Sequence, residues 1–230
     1  MPPTKQELRD GFVEDIHKIH NLYNSLSKHA TGPESLVLAE QTVVSYTVAL
    51  ESFISEILVT LISENSALFL TNITQEMKTA LNKAGFAHSR IQFLSYEGVK
   101  KIKADDLREI ILDDGDNLAF PETRQLKEFI SKNLPKALAF ELTPEDIIFI
   151  DLLKSTRNLC AHHSQKAAKS LSGIHKNHIH DPKVNELAVC QTLIQDGDIT
   201  VKTLGDYLKA NNRIGYICDY LRDMVFRWIK

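Results

Sequence analysis

Between Leu36 and Leu61 the apolar positions Leu36, Val43, Tyr46, Leu50, Phe53, Ile57 and Leu61 recur at helical spacing. They predict one helix of about 25–30 residues, ending near Ser63. Thr31, Pro33 and Glu34 announce its start, with proline in the first turn. A second stripe lies upstream: Leu8, Phe12, Ile16, Ile19, Leu22 and Leu26. Thr4 with Glu7 makes a capping-box signal for it, and it predicts a helix to about Lys28. Two long helices joined by a short Thr-Gly turn must bury facing apolar stripes, so they define an α-helical bundle. Glu51 and Glu56 interrupt the longer stripe. They read as solvated or ion-paired, or, for Glu51, as facing a later functional helix.

The rest of the chain extends this all-α reading. Residues 65–142 are less regular. Helices are predicted from near Thr74 to before Gly85, at Ala104–Asp113 and at Glu122–Asn133, with breaks at the DDGD turn (113–116) and Pro121. The organisation is thus one domain, 1–230, with an insertion of short helices at about 65–142. The insertion carries Lys100, Lys101, Lys103, Arg108, Arg124, Lys127, Lys132 and Lys136. They read as a solvated surface, or alternatively as a lid or basic wall. Thr143, Pro144, Glu145 and Asp146 open a helix that is apolar almost all round from Ile147 to Leu153, as befits the centre of a bundle. It is expected to end before Gly173. Residues 173–182 (GIHKNHIHDP) read as a loop, Pro182 to about Gln195 as a helix, the DGD at 196–198 as a turn, and Thr203–Lys230 as a last helix.

Composition bounds the function. The chain is 43% hydrophobic and 25% charged, ordinary for a globular domain. A net charge of −3 supplies no global basic field, so any nucleic acid must be held by a local positive cleft. Cys160, Cys190 and Cys218 lie far apart, with no CxxC, which suits a reducing cytoplasm. The charged start, MPPTKQELRD, has no signal-peptide core. No uninterrupted apolar run approaches membrane-spanning length, so no membrane span is expected.

The densest chemistry is the octet Arg157–Ser164, RNLCAHHS. Arginine binds phosphate with a planar fork of donors. Histidine moves protons near neutral pH. Asparagine is a neutral donor and acceptor. At about 100° per residue, Asn158 and His162 share a helix face. Arg157 lies about 140° from His162 and is long enough to reach the same groove. His163 flanks His162. Such a patch could neutralise a phosphate and shuttle a proton beside it. It could equally serve as an ion pair or a helix-end feature, where a cation is favoured by the macrodipole.

This octet resembles the mark of the HEPN superfamily, R-x4–6-H with Asn, Asp or His often next after the Arg. The longer string looks like that of the Abi-like (abortive infection) branch, although Gln165 and Lys166 replace its usual Arg and aromatic. The resemblance implies a HEPN-like helical bundle that forms a homodimer and brings two motifs together. It implies a metal-independent endoribonuclease without a cofactor, acting in defence or as a toxin, in the cytoplasm, with RNA as substrate. An antitoxin or regulatory partner is a further expectation. Arg157, Asn158 and His162 would be catalytic, with His163 as a secondary candidate. The alternative is a non-catalytic RNA- or nucleotide-binding protein, or a partner-binding one.

Five of nine histidines lie at 162, 163, 175, 178 and 180. With Cys160 they invite a zinc reading. Without paired cysteines or an HExxH helix, a surface His-rich loop at His175–His180 is preferred, and no metal site is expected.

Overall fold

The computed structural model describes residues 3–85, 102–112, 123–179, 187–194 and 199–230, with the backbone alone at 109–112 and 178–179. About 82% of the described residues are helical and none is in a strand. The fold is all-α. The helices are α1 (Lys5–Ser27), α2 (Gly32–Glu64), α3 (Ala67–Lys83), α4 (Ala104–Leu112), α5 (Thr123–Asn133), α6 (Pro144–His162), α7 (Gln165–Ile179), α8 (Ala188–Leu193), α9 (Leu204–Lys209) and α10 (Arg213–Trp228). The backbone clusters into two compact units, where the sequence reads as one domain with an insertion. One comprises 1–8 and 54–141, the other 9–53 and 142–230. The expected insertion falls inside the first unit, together with the end of α2.

The first unit is built on the last turns of α2, with α3, α4 and α5. The Phe69 and Phe129 rings meet edge-on at 6.5 Å. Asn72 donates to the Lys132 carbonyl at 2.6 Å, tying α3 to the end of α5. Helix α3 starts at Ala67 rather than Thr74, because Ser66 turns its hydroxyl back onto the Ile62 carbonyl and lets a new helix begin at once. Three of the basic residues in this unit meet carboxylates. Arg108 grips Glu56 with two bonds of 2.6 and 3.1 Å and also meets Asp105. Arg124 pairs with Glu128 and Lys132 with Glu76. Glu56 is thus ion-paired, and Arg108, Arg124 and Lys132 are each matched by a carboxylate. Lys100, Lys101, the DDGD turn and Pro121 lie outside the described residues.

The second unit holds α1 from Arg9, α2 to Phe53, and α6 to α10. Phe12 packs on Phe53 at 4.9 Å, and Phe149 stacks on Tyr220 at 4.2 Å. Helix α6 buries Ile148, Phe149, Ile150, Leu152, Leu153, Leu159 and Cys160, residues on almost every side, as its sequence predicts for a central helix. Its start, expected at Thr143–Asp146, is a capping box. Thr143 Oγ1 accepts the Asp146 amide at 3.1 Å, and the Asp146 carboxylate accepts the Thr143 amide at 3.1 Å. Helix α9 lies so close to α2 that a Cβ on Gly205 would sit 2.5 Å from that of Leu36, so only glycine fits there.

Two expectations fail in this unit. The loop expected at 173–182 is helical to Ile179, and His175 is fully buried against the Tyr207 ring at 5.8 Å. Leu171 and Ile174 supply an apolar stripe that the intervening polar residues mask. The last helix is broken: Asn211 and Asn212 are both left-handed, with φ of 55° and 53°. Asparagine is among the few residues that visit this region, and two in succession redirect the chain. Of the helix expected over 182–195, α8 is its described part, and the DGD turn lies outside the described residues. Although it holds no uninterrupted apolar run of that length, α2 is by length and composition apolar enough to cross a membrane; 61% of its most apolar 18-residue window is buried within the protein.

Candidate functional site

Helix α6 ends on His162. His163 takes a left-handed conformation, φ 44° and ψ 35°, and its amide closes on the Leu159 carbonyl at 2.9 Å. Ser164 then accepts the Ala167 amide at 3.2 Å and caps α7. The helix therefore stops within the octet instead of running toward Gly173. Positive φ outside glycine is uncommon and costs about 1–3 kcal/mol, a strain that tends to collect at functional sites.

The octet's polar side chains emerge at this exposed end. Arg157 is half-buried. Its Nη1 donates to Asn158 Oδ1 at 3.1 Å and its Nη2 to Glu51 Oε2 at 3.3 Å. Glu51 thus faces the motif, the alternative that the sequence left open. Asn158 and His162 are exposed. Among the described residues His162 makes no hydrogen bond, so Asn158 holds the arginine rather than the histidine. His163 Nε2 lies 3.0 Å from Glu40 Oε2. The geometry gathers Arg157, Asn158, His162 and His163 at one helix end, with only His162 uncommitted.

Two participants escaped the sequence reading. Glu40, with its side chain only 11% exposed, is one. It lies eleven residues before Glu51, three turns up the same face of α2, and that pairing of acids in an apolar helix was the available signal. Lys154 is the other. Burial lowers its pKa, Glu51 and Asp151 oppose that, and Arg157 reinforces it. Lys154 and Arg157 thus stand beside the carboxylates Glu51 and Asp151, and Glu40 faces His163. The motif is not itself a positive cleft.

Metal chemistry finds little support in the donors. Among the described residues no three His, Cys, Asp or Glu side chains converge. Burial, then Glu40, pushes the Cys160 thiol up to about 12, so a thiolate ligand there is disfavoured. His175 is enclosed on α7, away from any surface loop; the His178 side chain and His180 lie outside the described residues.

No protein-family model matches this chain, and no curated protein or solved structure matches it.

Proposed function

We propose that the chain is a HEPN-type endoribonuclease that cleaves RNA by attack of the 2′-hydroxyl on the adjacent phosphate. The observation that carries this reading is the exposed end of α6, where an uncommitted His162 stands beside the Arg157–Asn158 pair. His162 moves the proton, from the 2′-hydroxyl or to the leaving oxygen. Arg157 stabilises charge growing on the phosphorane. Its bond to Glu51 is no obstacle. It is a single contact of 3.3 Å, whereas a phosphate accepts two donors of the guanidinium fork at once, so a phosphate competes for the arginine. The products are a 2′,3′-cyclic phosphate and a 5′-hydroxyl.

The acids also favour a second reading. With Arg157 on Glu51 and His163 on Glu40, the motif's charge is largely balanced inside the protein. That suits a non-catalytic binding protein, or a partner-binding one with an antitoxin-like or regulatory partner. Incubation with mixed RNA in EDTA separates the readings, with His162→Ala as control. Cleavage is expected to survive EDTA and to leave cyclic phosphate ends. Cleavage that needs added divalent metal, or 5′-phosphate ends, rejects the mechanism; no cleavage under any condition favours the second reading.

A symmetric cleft needs two motifs, and a homodimer supplies them. Val37 and Val48 are 55% and 45% exposed, and they share a face of α2 with Glu40 and Glu51. Apolar surface beside the motif fits an interface between copies. Light scattering at micromolar concentration is expected to give a dimer, and Val48→Lys a monomer. A monomeric parent, or a Val48→Lys chain that remains dimeric, removes this face from the assembly.

A further inference from the structure

The cations at the end of α6 stand beside carboxylates, yet RNA is a polyanion. The charge it needs lies on the next helix. One face of α7, made of Gln165, Ala168, Lys169, Ser172, Gly173 and Lys176, forms a wall of a cleft of about 670 Å³. These positions follow the i, i+3, i+4, i+7 pattern of a single helical stripe. The opposite wall is Ile199–Lys202. Ala168, Gly173, Ile199 and Val201 make its lining partly apolar, while Lys169, Lys176 and Lys202 bring three ammonium groups. No acidic side chain is among its described lining residues. Taken by themselves, these described lining residues carry a positive charge in a chain of net charge −3.

The cleft also starts beside the motif. Gln165 follows His162 by three residues, at most about 11 Å of chain. From there the lined face of α7 runs eleven residues, about 16 Å. Lys169 and Lys176 are seven apart, two turns on the same side, about 10 Å along the axis. That is the length of about three stacked nucleotides.

We infer that this cleft is the track for the single-stranded RNA flanking the scissile bond, its phosphates paired with Lys169, Lys176 and Lys202. The inference rests on the RNA reading of the α6 motif and adds where the strand lies. The lining has no aromatic ring to stack a base, so binding runs through the backbone and is tolerant of sequence.

The test uses the full chain with His162→Ala, which keeps RNA intact, and a labelled twelve-nucleotide single-stranded RNA of mixed sequence. Affinity is measured by fluorescence anisotropy across a salt series, with and without Lys169→Ala, Lys176→Ala and Lys202→Ala together. All three lysines are exposed, so the variant is expected to fold as the parent does. Removing three phosphate contacts should weaken binding by about tenfold or more and flatten the slope of log affinity against log salt by about two. Equal affinity and equal slope in the lysine variant overturn the track, even if the parent cleaves RNA. Lysine-dependent binding by a parent that never cleaves keeps the track and rejects the nuclease. A parent that binds no RNA rejects the track outright.

Discussion

Replacing His162 with alanine is expected to lower RNA cleavage by about 10²–10⁴-fold, the usual contribution of a positioned acid or base. The melting temperature should stay within about 2 °C of the parent, because exposed side chains away from packing contribute little to stability. His162 is exposed and makes no hydrogen bond among the described residues, so nothing in the fold depends on it. Arg157→Ala should behave differently. It removes a charge that acts on bound RNA and on the transition state alike, so affinity and turnover fall together. It also leaves Glu51 turned toward the substrate without its cation. Cleavage rate, RNA affinity and melting temperature for both variants decide the matter. A His162→Ala chain that melts far below the parent makes the residue part of the packing. Two variants that cleave at the parental rate place the active site elsewhere.

The largest stability loss is expected at Asp146. Its carboxylate is completely buried and accepts four donors. Oδ1 takes the Tyr220 hydroxyl at 2.9 Å and Arg227 at 2.6 Å; Oδ2 takes the Thr143 amide at 3.1 Å and the Trp228 indole at 3.4 Å. One side chain thereby caps α6 and fastens it to α10. Arg227 is half-exposed and can be rehydrated, but the buried Tyr220 hydroxyl and Trp228 indole lose their acceptor and α6 loses its cap, about 3–5 kcal/mol together. For a chain of this size that is a fall in melting temperature of roughly 6–20 °C. Asp146→Asn keeps the shape but turns an amide donor toward donors, so it should recover little. Thermal melting of Asp146→Ala and Asp146→Asn, with the parent alongside, measures this. A loss below about 1 kcal/mol would mean that water replaces the carboxylate freely.

What the sequence disclosed follows from which signals are local. The start of α6 was readable to the residue, because Thr143, Pro144 and Asp146 each act within one turn. The long α2 was readable because its stripe repeats. The end of α6 was not. Leu159 and Cys160 keep the apolar rhythm up to the break, and only Ser164 as a cap marks the restart. A doublet of asparagines at 211–212 was the available sign of the bend before α10. The burial of His175 has no sign in the sequence, because a polar side chain inside a helix core leaves no periodic trace. The motif residues were chosen by type and spacing, and the structure brings them together. Their acidic partners come from a helix more than a hundred residues earlier, and pairing of that kind is set by tertiary packing alone.

The three thiols have a consequence for how the molecule meets its surroundings. Cys160, Cys190 and Cys218 are all turned inward, and burial holds each protonated well past neutrality. The outer surface therefore offers no thiol. Oxidants and electrophiles that seek a thiolate find none while the fold is intact. Thiol labelling becomes a gauge of opening: each modified cysteine records an excursion of the packed interior around it.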